Sequence, residues 1–310
     1  MRCTVLGGGG FIGAHLSLRL HTEGHDVTVI EHPALAQEKT ILANVPVRWE
    51  PVDFTDAVAL EAALAGCEVL FHLVSTTVPQ SSNDNPLYDL ETNTEATLRL
   101  LEAAKHQGVK KIIFTSSGGT VYGIPQTSPI HEDHPTEPHC AYGISKLSIE
   151  KYLHLYEFLH GIEYCILRIA NPYGEGQSPF KKQGVIAVFL HKALTGQPLE
   201  IWGDGEVVRD YIYIGDVTDA FLAALHYAGD QRVFNIGSGE GHSLNDIMLT
   251  MEHVIGQPVA KRFIPGRGFD VPANVLAISR AHTHLGWQPA TSLAAGIKKA
   301  MDWQRATFPC

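Results

Sequence analysis

The chain has 310 residues, of which 45% are hydrophobic, and its formal net charge at pH 7 is −10. This length and apolar content are typical of a folded globular chain with one large domain or two smaller ones, and they exclude a largely disordered protein. The acidic residues are spread along the sequence, which argues against nucleic acids and anionic membranes as the main partners.

The first part of the sequence alternates between short apolar strands and helices. Strands are predicted over residues 2–6, 26–31, 47–50, 68–73, 111–115 and 162–168. Helices are predicted over residues 11–22, 56–65, 86–107 and 141–160. Such alternation indicates βαβ units, and apolar strands without a polar face are typical of a buried parallel sheet. The predicted fold class is therefore α/β, with a Rossmann-like doubly wound parallel sheet.

The second part of the sequence is richer in turn residues, and its strands are shorter. Further helices are predicted over residues 184–195 and 216–227. The segment 232–237 has the apolar composition of one more strand of the main sheet. We therefore predict a Rossmann domain over residues 1–170 that also includes this strand. A smaller α/β substrate domain, not strictly continuous, is predicted over residues 171–310.

A glycine-rich loop follows the first predicted strand and opens the first helix. Gly7, Gly10 and Gly13 have the spacing Gly-x-x-Gly-x-x-Gly, and Phe11 and Ile12 lie between the last two glycines. Glycines allow the backbone to approach a pyrophosphate closely, and a helix N-terminus offers free N–H groups to the phosphates. The loop is therefore predicted to bind a dinucleotide, and an ordinary glycine turn is the alternative.

Further cofactor contacts are predicted at the ends of the next strands. Glu31 ends the second strand, eighteen residues after Gly13. A carboxylate there accepts hydrogen bonds from the ribose hydroxyls and repels a 2′-phosphate, which favours NAD over NADP. Asp53 and Phe54, after the third strand, are predicted to hold the adenine, although a surface turn explains them nearly as well. Leu73, at the end of the fourth strand, is also predicted to contact the cofactor.

Tyr142 and Lys146 lie four residues apart on a predicted helix and therefore share one face. An ammonium beside a phenol favours the phenolate and lowers the tyrosine pKa from about 10 towards neutrality. Ser117 follows the fifth strand, where a hydroxyl can stabilise charge on a reacting oxygen. With the glycine loop, these residues predict a site that oxidises or reduces a hydroxyl. Each of them alone is better explained by an ordinary buried or surface position.

This order of motifs resembles the extended short-chain dehydrogenases/reductases, and within them the NAD-dependent nucleotide-sugar epimerase/dehydratase family, over essentially the whole chain. The resemblance implies that Tyr142 is the base, that Lys146 holds the nicotinamide ribose and lowers the tyrosine pKa, and that Ser117 binds the sugar 4-oxygen. The loop after Ser117 is interpreted as one residue longer than is usual in the family. Ser116 or Thr120 can therefore take the place of Ser117.

The resemblance also implies substrate contacts in the second half of the chain. Asn171 is expected to touch the substrate diphosphate, Arg209 and Arg267 to bind phosphate, and Asp270 to bind a ribose hydroxyl. The guanidinium group matches phosphate oxygens, although a surface ion pair is the alternative for each arginine taken alone. Asn274 stands where family members restricted to glucose have tyrosine, so that a 2-N-acetyl group has room. A simple turn asparagine is the alternative there.

The segment from Phe114 to Gly123 contains no Asp or Glu. Dehydratases and decarboxylases of the family carry an acid in this loop, so the segment favours chemistry with one base and one hydride carrier. The resemblance therefore implies 4-epimerisation of a UDP-hexose or UDP-N-acetylhexosamine, by transient oxidation at C4 and hydride return to either face. A 4-keto reductase, a dehydratase and a non-enzymatic NAD-binding regulator are the alternatives.

The remaining expectations concern location, metals and assembly. The five cysteines form no Cys-x-x-Cys pair and no signal peptide precedes the first strand, so a reducing cytoplasm is expected. No metal is expected, because the seventeen histidines form no compact ligand set, and His282 and His284 are only a weak candidate pair. The resemblance implies a homodimer through a four-helix bundle, to which each chain contributes helices 86–107 and 141–160.

Overall fold

The structure is a computed structural model that describes residues 1–35, 41–181, 184–266 and 271–308. The chain divides into two compact units, and neither of them is continuous in sequence. The first unit comprises Met1–Gly123, His134–Arg168 and Ala220–Phe234, and the second comprises Ile124–Asp133, Ile169–Asp219 and Asn235–Cys310. The assignment of a cofactor domain to residues 1–170 and of a substrate domain to residues 171–310 stays a prediction.

The described residues form the following elements. The strands are β1 (Arg2–Leu6), β2 (Asp26–Glu31), β3 (Arg48–Pro51), β4 (Val69–His72), β5 (Lys111–Ser117), β6 (Glu163–Ile169), β7 (Asn171–Tyr173), β8 (Leu199–Trp202), β9 (Val208–Tyr213), β10 (Val233–Ile236), β11 (Gly241–His242), β12 (Lys261–Ile264) and β13 (Ala273–Asn274). The α-helices are α1 (Phe11–Thr22), α2 (Ala57–Ala63), α3 (Pro79–Asp84), α4 (Pro86–Asp89), α5 (Ala96–His106), α6 (Ala141–His160), α7 (Val185–Leu194), α8 (Ile214–His226), α9 (Leu244–Ile255) and α10 (Leu293–Thr307). Two π-helical segments span Leu90–Glu95 and Ala281–Leu285.

A seven-stranded sheet in the order β10-β6-β5-β4-β1-β2-β3 forms the centre of the fold. Strands β1 to β5 pair in parallel, and the apolar side chains of β1, β2, β4 and β5 are buried on both faces, which explains why these four sequences show no alternation. Leu70 and Ile112 of the sheet pack with Leu100 of α5 and Leu153 of α6 in the core of the first unit. This strand order is that of a doubly wound α/β sheet, so the predicted fold class is confirmed.

The second unit has its own small sheets and its own core. Strand β9 pairs in parallel with β7 and β13 and antiparallel with β11, while β8 and β12 form a separate parallel pair. The buried side chains of Phe189 in α7, Ile247 in α9 and Ile297 in α10 form one apolar cluster. Helix α9 begins at a capping box of Ser243 and Asp246, in which each side chain accepts the other's backbone N–H.

The predicted helix 86–107 differs most from the structure. It is divided into α4, the π-helical segment Leu90–Glu95 and α5. The reason lies in Asn93, whose side-chain amide donates to the backbone carbonyl of Asp89 at 3.1 Å and so competes with the regular helical hydrogen bond. Helix α3 was not predicted, because its sequence is polar. The other predicted boundaries agree with the structure within one or two residues.

We predict that Gly13→Ala destabilises the fold, because a Cβ atom at Gly13 would lie 2.1 Å from the carbonyl oxygen of Gly7 and 2.7 Å from the Cα atom of Gly8. Both are backbone atoms, so the loop itself must move. The expected loss is about 3 kcal/mol in the free energy of unfolding, measured by urea denaturation. Gly119→Ala is the control, since its Cβ would meet no atom closer than 3.9 Å. Equal stability of Gly13→Ala and the unchanged chain would contradict this reading of the loop.

Candidate active site

The glycine loop connects β1 to α1 in a conformation that depends on glycine at two positions. Gly7 has φ of +82°, a value that side chains disfavour, and its N–H donates to the carbonyl of Ile30 in β2 at 2.8 Å. Gly13 packs directly against the backbone of Gly7. Gly10 is the N-cap of α1, and neither a side-chain cap nor an acidic residue occupies the first turn of that helix. The first N–H groups of α1 are therefore placed to bind phosphate, which fits a dinucleotide.

Glu31 is buried at the end of β2 and its carboxylate holds the glycine loop. Oε2 accepts the N–H of Gly9 at 3.0 Å, and Oε1 accepts the N–H of His32 at 2.9 Å. Each carboxylate oxygen has a further lone pair, so the group can still accept hydrogen bonds from a ribose. The contact with ribose itself remains a prediction.

The other predicted cofactor residues lie beyond the ends of β3 and β4. Asp53 forms a local turn, in which Oδ1 accepts the N–H and the hydroxyl of Thr55 at 2.9 and 2.8 Å, and these bonds lower the pKa of Asp53. The ring of Phe54 is buried in the core and lies 5.4 Å from the ring of His72. The N–H of Leu73 donates to the carbonyl of Leu6. Of these three residues, Asp53 has the side chain that is most accessible to an adenine.

Helix α6 carries Tyr142, and its N-terminus is capped by side chains from α3. The N-cap residue Cys140 makes no side-chain cap hydrogen bond. Instead, Asn83 Oδ1 accepts the N–H of Ala141 at 2.9 Å, and Ser82 Oγ accepts the N–H of Tyr142 at 3.0 Å. Since these bonds satisfy backbone donors that a helix otherwise leaves open, α3 fixes the position of the first turn of α6.

Lys146 is buried, with 4% of its surface exposed. Its Nζ donates to the carbonyl oxygen of Thr115 in β5 at 3.0 Å, and it lies 4.8 Å from the ring centre of Phe114 and 5.6 Å from that of Tyr142. Burial lowers the pKa of Lys146 to about 8, and the carboxylates of Asp89 and Glu150 oppose this shift. The ammonium is therefore placed beside the phenol, as the spacing of the motif predicted.

The pKa of Tyr142 is shifted in the opposite direction to the prediction. Burial raises the pKa of the phenol, and Cys140 and Asp89 act in the same direction. The spacing of Tyr142 and Lys146 correctly indicated a neighbouring ammonium, but it did not reveal the loss of solvent or the buried carboxylate. Burial, Cys140 and Asp89 therefore favour the neutral phenol in the free protein.

The three candidate hydroxyls near the end of β5 have different surroundings. Ser116 is buried, and its Oγ donates to Glu150 Oε1 at 2.5 Å, so this hydroxyl is already used. Ser117 is half-buried at the last position of β5. The Thr120 hydroxyl oxygen is buried and makes no hydrogen bond within the described part of the chain. Ser117 and Thr120 are therefore the two that can bind a substrate oxygen.

A buried polar cluster beside Tyr142 was missed from the sequence. Asp89 is fully buried, and it accepts hydrogen bonds from the hydroxyls of Thr77 and Ser145 and from the amide of Asn93. Asn93 Oδ1 in turn accepts the N–H of Thr76 at 3.0 Å. The available signal was an Asp and an Asn four residues apart within a predicted helix, where such residues are unfavourable unless they have partners.

Three predicted substrate residues meet in the small sheet of the second unit. The amide of Asn171 donates to the carbonyl of Asp210 at 2.9 Å, and Asn274 lies opposite Arg209 in the β13–β9 pair. Arg209 Nη1 donates to the carbonyls of Val208 and Val271 at 2.8 and 2.7 Å, which holds the guanidinium against the backbone. The other two predicted residues, Arg267 and Asp270, lie outside the described residues.

Two general features of the described residues bear on the function. No group of three or more His, Cys, Asp or Glu side chains in the described part of the chain is arranged to bind a metal ion, and the weak pair His282 and His284 lies in a π-helical segment. Within the same residues, every helix is too short or too polar to span a lipid bilayer.

The chain matches the NAD dependent epimerase/dehydratase family over residues 3–237. It is 36% identical to a UDP-glucose 4-epimerase of Thermotoga maritima solved with UDP-glucose, with a TM-score of 0.92 and 99% of each chain covered. It is 27% identical to a UDP-N-acetylglucosamine 4-epimerase of Methanobrevibacter ruminantium, with a TM-score of 0.92 and 99% of each chain covered. It is also 40% identical to a dTDP-4-dehydro-6-deoxyglucose reductase of Escherichia coli, over 75% of this chain and 73% of the relative. The chain belongs to the NAD-dependent epimerase/dehydratase family.

Proposed function

We propose that this chain is an NAD-dependent 4-epimerase of nucleotide sugars, with a UDP-hexose or a UDP-N-acetylhexosamine as substrate. The observation that carries this proposal is the geometry at the end of β5. The buried ammonium of Lys146 is fixed by the Thr115 carbonyl next to Tyr142, and Ser117 follows two residues after Thr115. The 4-epimerases among the similar structures support the reaction, and the uncapped start of α1 supports the cofactor.

In the proposed reaction Tyr142 takes the proton of the sugar 4-hydroxyl while C4 loses a hydride, which leaves a 4-keto sugar. Bound NAD, held by the glycine loop, would supply the hydride acceptor for C4 and the hydride that restores the C–H bond on the other face of the turned sugar. Tyr142 then gives its proton back to the 4-oxygen. Lys146 stabilises the phenolate and binds the nicotinamide ribose, and a hydroxyl of Ser117 or Thr120 binds the 4-oxygen.

The surroundings of β5 argue against a dehydratase. Removal of water needs a further acid/base group, and the segment 114–123 contains no carboxylate. Glu150 reaches this region from α6, but its carboxylate is engaged by Arg168 and Ser116. The segment therefore offers one proton shuttle rather than two.

A net 4-keto reductase is the second candidate, because it uses the same tyrosine and lysine. The relative named as a dTDP-4-dehydro-6-deoxyglucose reductase is the specific observation in its favour. Against it stands Glu31, whose buried carboxylate disfavours the 2′-phosphate of NADPH. A reductase consumes reduced coenzyme, whereas an epimerase regenerates NAD in each turnover.

The substrate contacts in the second unit belong to the same proposal. Asn171 and Arg209 are proposed to bind the diphosphate, and Arg267 and Asp270 to bind phosphate and ribose. The Arg209 guanidinium is held by two backbone carbonyls, which suits a group that must keep one orientation towards phosphate oxygens. The proposed cofactor contacts are the glycine loop and Glu31, Asp53, Phe54 and Leu73. Because the Phe54 ring is buried in the core, we propose that Asp53 is the main contact to the adenine.

We also propose a cytoplasmic homodimer. The predicted four-helix bundle needs apolar side chains on the outer faces of the helices between residues 86 and 106 and of α6. Such residues are exposed on both: Leu87, Leu90, Leu155, Phe158 and Leu159. Phe158, for example, has 81% of its surface exposed, which is unfavourable for a helix that faces only water. The described cysteines are all free, in agreement with a reducing compartment.

The reaction is tested by incubating the protein with UDP-, GDP- and dTDP-sugars without added coenzyme and identifying the products by NMR. We expect the C4 epimer of a UDP-sugar to form without a bulk change in absorbance at 340 nm, since NAD is regenerated. Tyr142→Phe should lower the rate by about a hundredfold to ten thousandfold, because it removes the proton shuttle. A product that forms only with stoichiometric oxidation of added NADH or NADPH would identify a reductase instead.

The hydroxyl that binds the 4-oxygen is tested with Ser117→Ala and Thr120→Val. The variant that removes this donor should lower kcat by about a hundredfold, with a much smaller effect of the other variant. We expect the large effect for Ser117. A large loss in Thr120→Val alone would assign the role to Thr120, and wild-type kcat in both would show that neither hydroxyl stabilises the reacting oxygen.

The choice of sugar is tested with Asn274→Tyr. Asn274 has 3% of its surface exposed, and we propose that a tyrosine there takes up the space that a 2-substituent would use. We expect kcat/KM for UDP-N-acetylglucosamine to fall about tenfold or more, while turnover of UDP-glucose by the same variant serves as the control for folding. Equal loss with both sugars would show that residue 274 supports the fold and does not select the sugar.

A further inference from the structure

The first unit contains a buried ion pair, one helical turn beyond Lys146, that has no role in the reaction described above. Glu150 of α6 and Arg168 of β6 each have 4% of their surface exposed. Arg168 Nε donates to Oε1 at 3.0 Å and Nη2 donates to Oε2 at 2.6 Å, which is the bidentate geometry. A buried pair of this kind is weak evidence for stability, because two apolar residues of similar volume often serve as well.

The pair binds two further groups, and both belong to segments that carry the proposed chemistry. Glu150 Oε1 accepts the hydroxyl of Ser116, the residue before Ser117, at 2.5 Å. Arg168 Nη1 donates to the hydroxyl of Tyr122 at 2.9 Å, and the guanidinium carbon lies 4.8 Å from the centre of that ring. The pair therefore connects α6 with the end of β5 and with the loop that follows it.

These contacts lie one helical turn from Lys146. Lys146 and Glu150 are four residues apart on α6, and their partners Thr115 and Ser116 are adjacent on β5. Two neighbouring bonds between one helix and one strand fix both the distance and the register of the two elements. If the second bond is lost, the hydrogen bond from Lys146 and the apolar packing between α6 and β5 remain, but the polar contact nearest to Ser117 is gone.

We infer that Glu150 and Arg168 are positioning residues that hold the end of β5 and the 118–123 loop in register with Tyr142 and Lys146. This inference rests on the proposed function, because one of its readouts is the epimerase rate. Neither residue touches the substrate. Their effect is on the alignment of the proton shuttle with the strand-end hydroxyl, and alignment changes kcat more than it changes binding of the nucleotide.

The first test uses the double variant Glu150→Met/Arg168→Met, which replaces the pair by packed apolar side chains. We expect a folded protein with kcat reduced about tenfold to a hundredfold and with little change in KM. Ser116→Ala is the second variant, since it removes only the bond to Glu150 and leaves the ion pair intact. It should give a smaller loss of kcat in the same direction. A folded double variant with the kcat of the unchanged chain would overturn the inference.

Glu157→Gln is the matched control. Glu157 lies on the same helix and accepts Arg232 Nε at 2.8 Å, but it is about three turns beyond Lys146. Its loss removes another Glu–Arg ion pair of α6, one that is more exposed, without touching β5. We expect kcat to stay within about twofold of the unchanged chain. A loss of kcat equal to that of the Glu150 variants would show a general effect of ion pairs on α6 and contradict a specific positioning role.

The second test does not depend on turnover. NMR of ¹³C-labelled lysine side chains, recorded across a range of pH, follows the protonation of Lys146 in the free protein. The ionisable groups around Lys146 are Asp89, Glu150, Tyr142 and the buried His72, whose pKa of about 3 keeps it neutral. Removal of the Glu150 charge favours the neutral amine, so Glu150→Gln should move the midpoint of Lys146 below its value of about 8.

The outcomes separate this inference from the proposed function. If the unchanged chain epimerises no nucleotide sugar, the proposed function fails, whereas the titration of Lys146 still reports whether Glu150 acts on it. If the chain is an epimerase but Glu150→Gln and the folded double variant keep the kcat of the unchanged chain, the positioning role is wrong, whatever the midpoint of Lys146. A loss of kcat in Glu150→Gln, together with an unchanged kcat in Glu157→Gln, supports the positioning role.

Discussion

The arrangement of the first unit depends on the burial of one ammonium group. Removing Lys146 from water is unfavourable, and the structure offsets that cost with the Thr115 carbonyl and with the face of the Phe114 ring. Two buried carboxylates, Asp89 and Glu150, further favour the charged form. These four groups come from three elements, β5, α4 and α6. Lys146 therefore has all of its partners only when these elements are packed together. The site residues are thus part of what determines the local fold.

Local patterns were sufficient to predict the fold class and the two central motifs. The glycine spacing and the Tyr142–Lys146 spacing both concern residues within about two turns of one another in the chain. Residues that close in sequence are also close in space, so their contact can be predicted from the spacing. The partners that complete the site come from far along the chain. Ser82 and Asn83 cap a helix that begins nearly sixty residues later, and no local signal marks that contact. The sequence could therefore predict that Tyr142 and Lys146 are neighbours, but not what holds them in place.

The predicted direction of the Tyr142 pKa shift was wrong for the same reason: groups from distant parts of the chain also act on the phenol. A lysine one turn away lowers the pKa of a phenol, and that argument considers only the pair. In the folded chain, desolvation and Asp89 act on the phenol more strongly in the other direction. Burial and Asp89 therefore favour the neutral phenol in the free protein. In the proposed reaction, the positive charge of a bound nicotinamide would favour the phenolate. In the second unit, Asn171, Arg209 and Asn274 share one small sheet, although their motifs are far apart in sequence.

The central claim is that Tyr142 and Lys146 allow a hydride to leave C4 of the sugar and return to the same carbon. The most direct measurement uses the UDP-sugar that turns over, labelled with deuterium at C4, in ordinary water. NMR and mass spectrometry then follow the label in the C4 epimer. We expect the product to keep the deuterium at C4, because a hydride held by bound NAD would not exchange with solvent. Replacement of the deuterium by solvent hydrogen at C4 would contradict it.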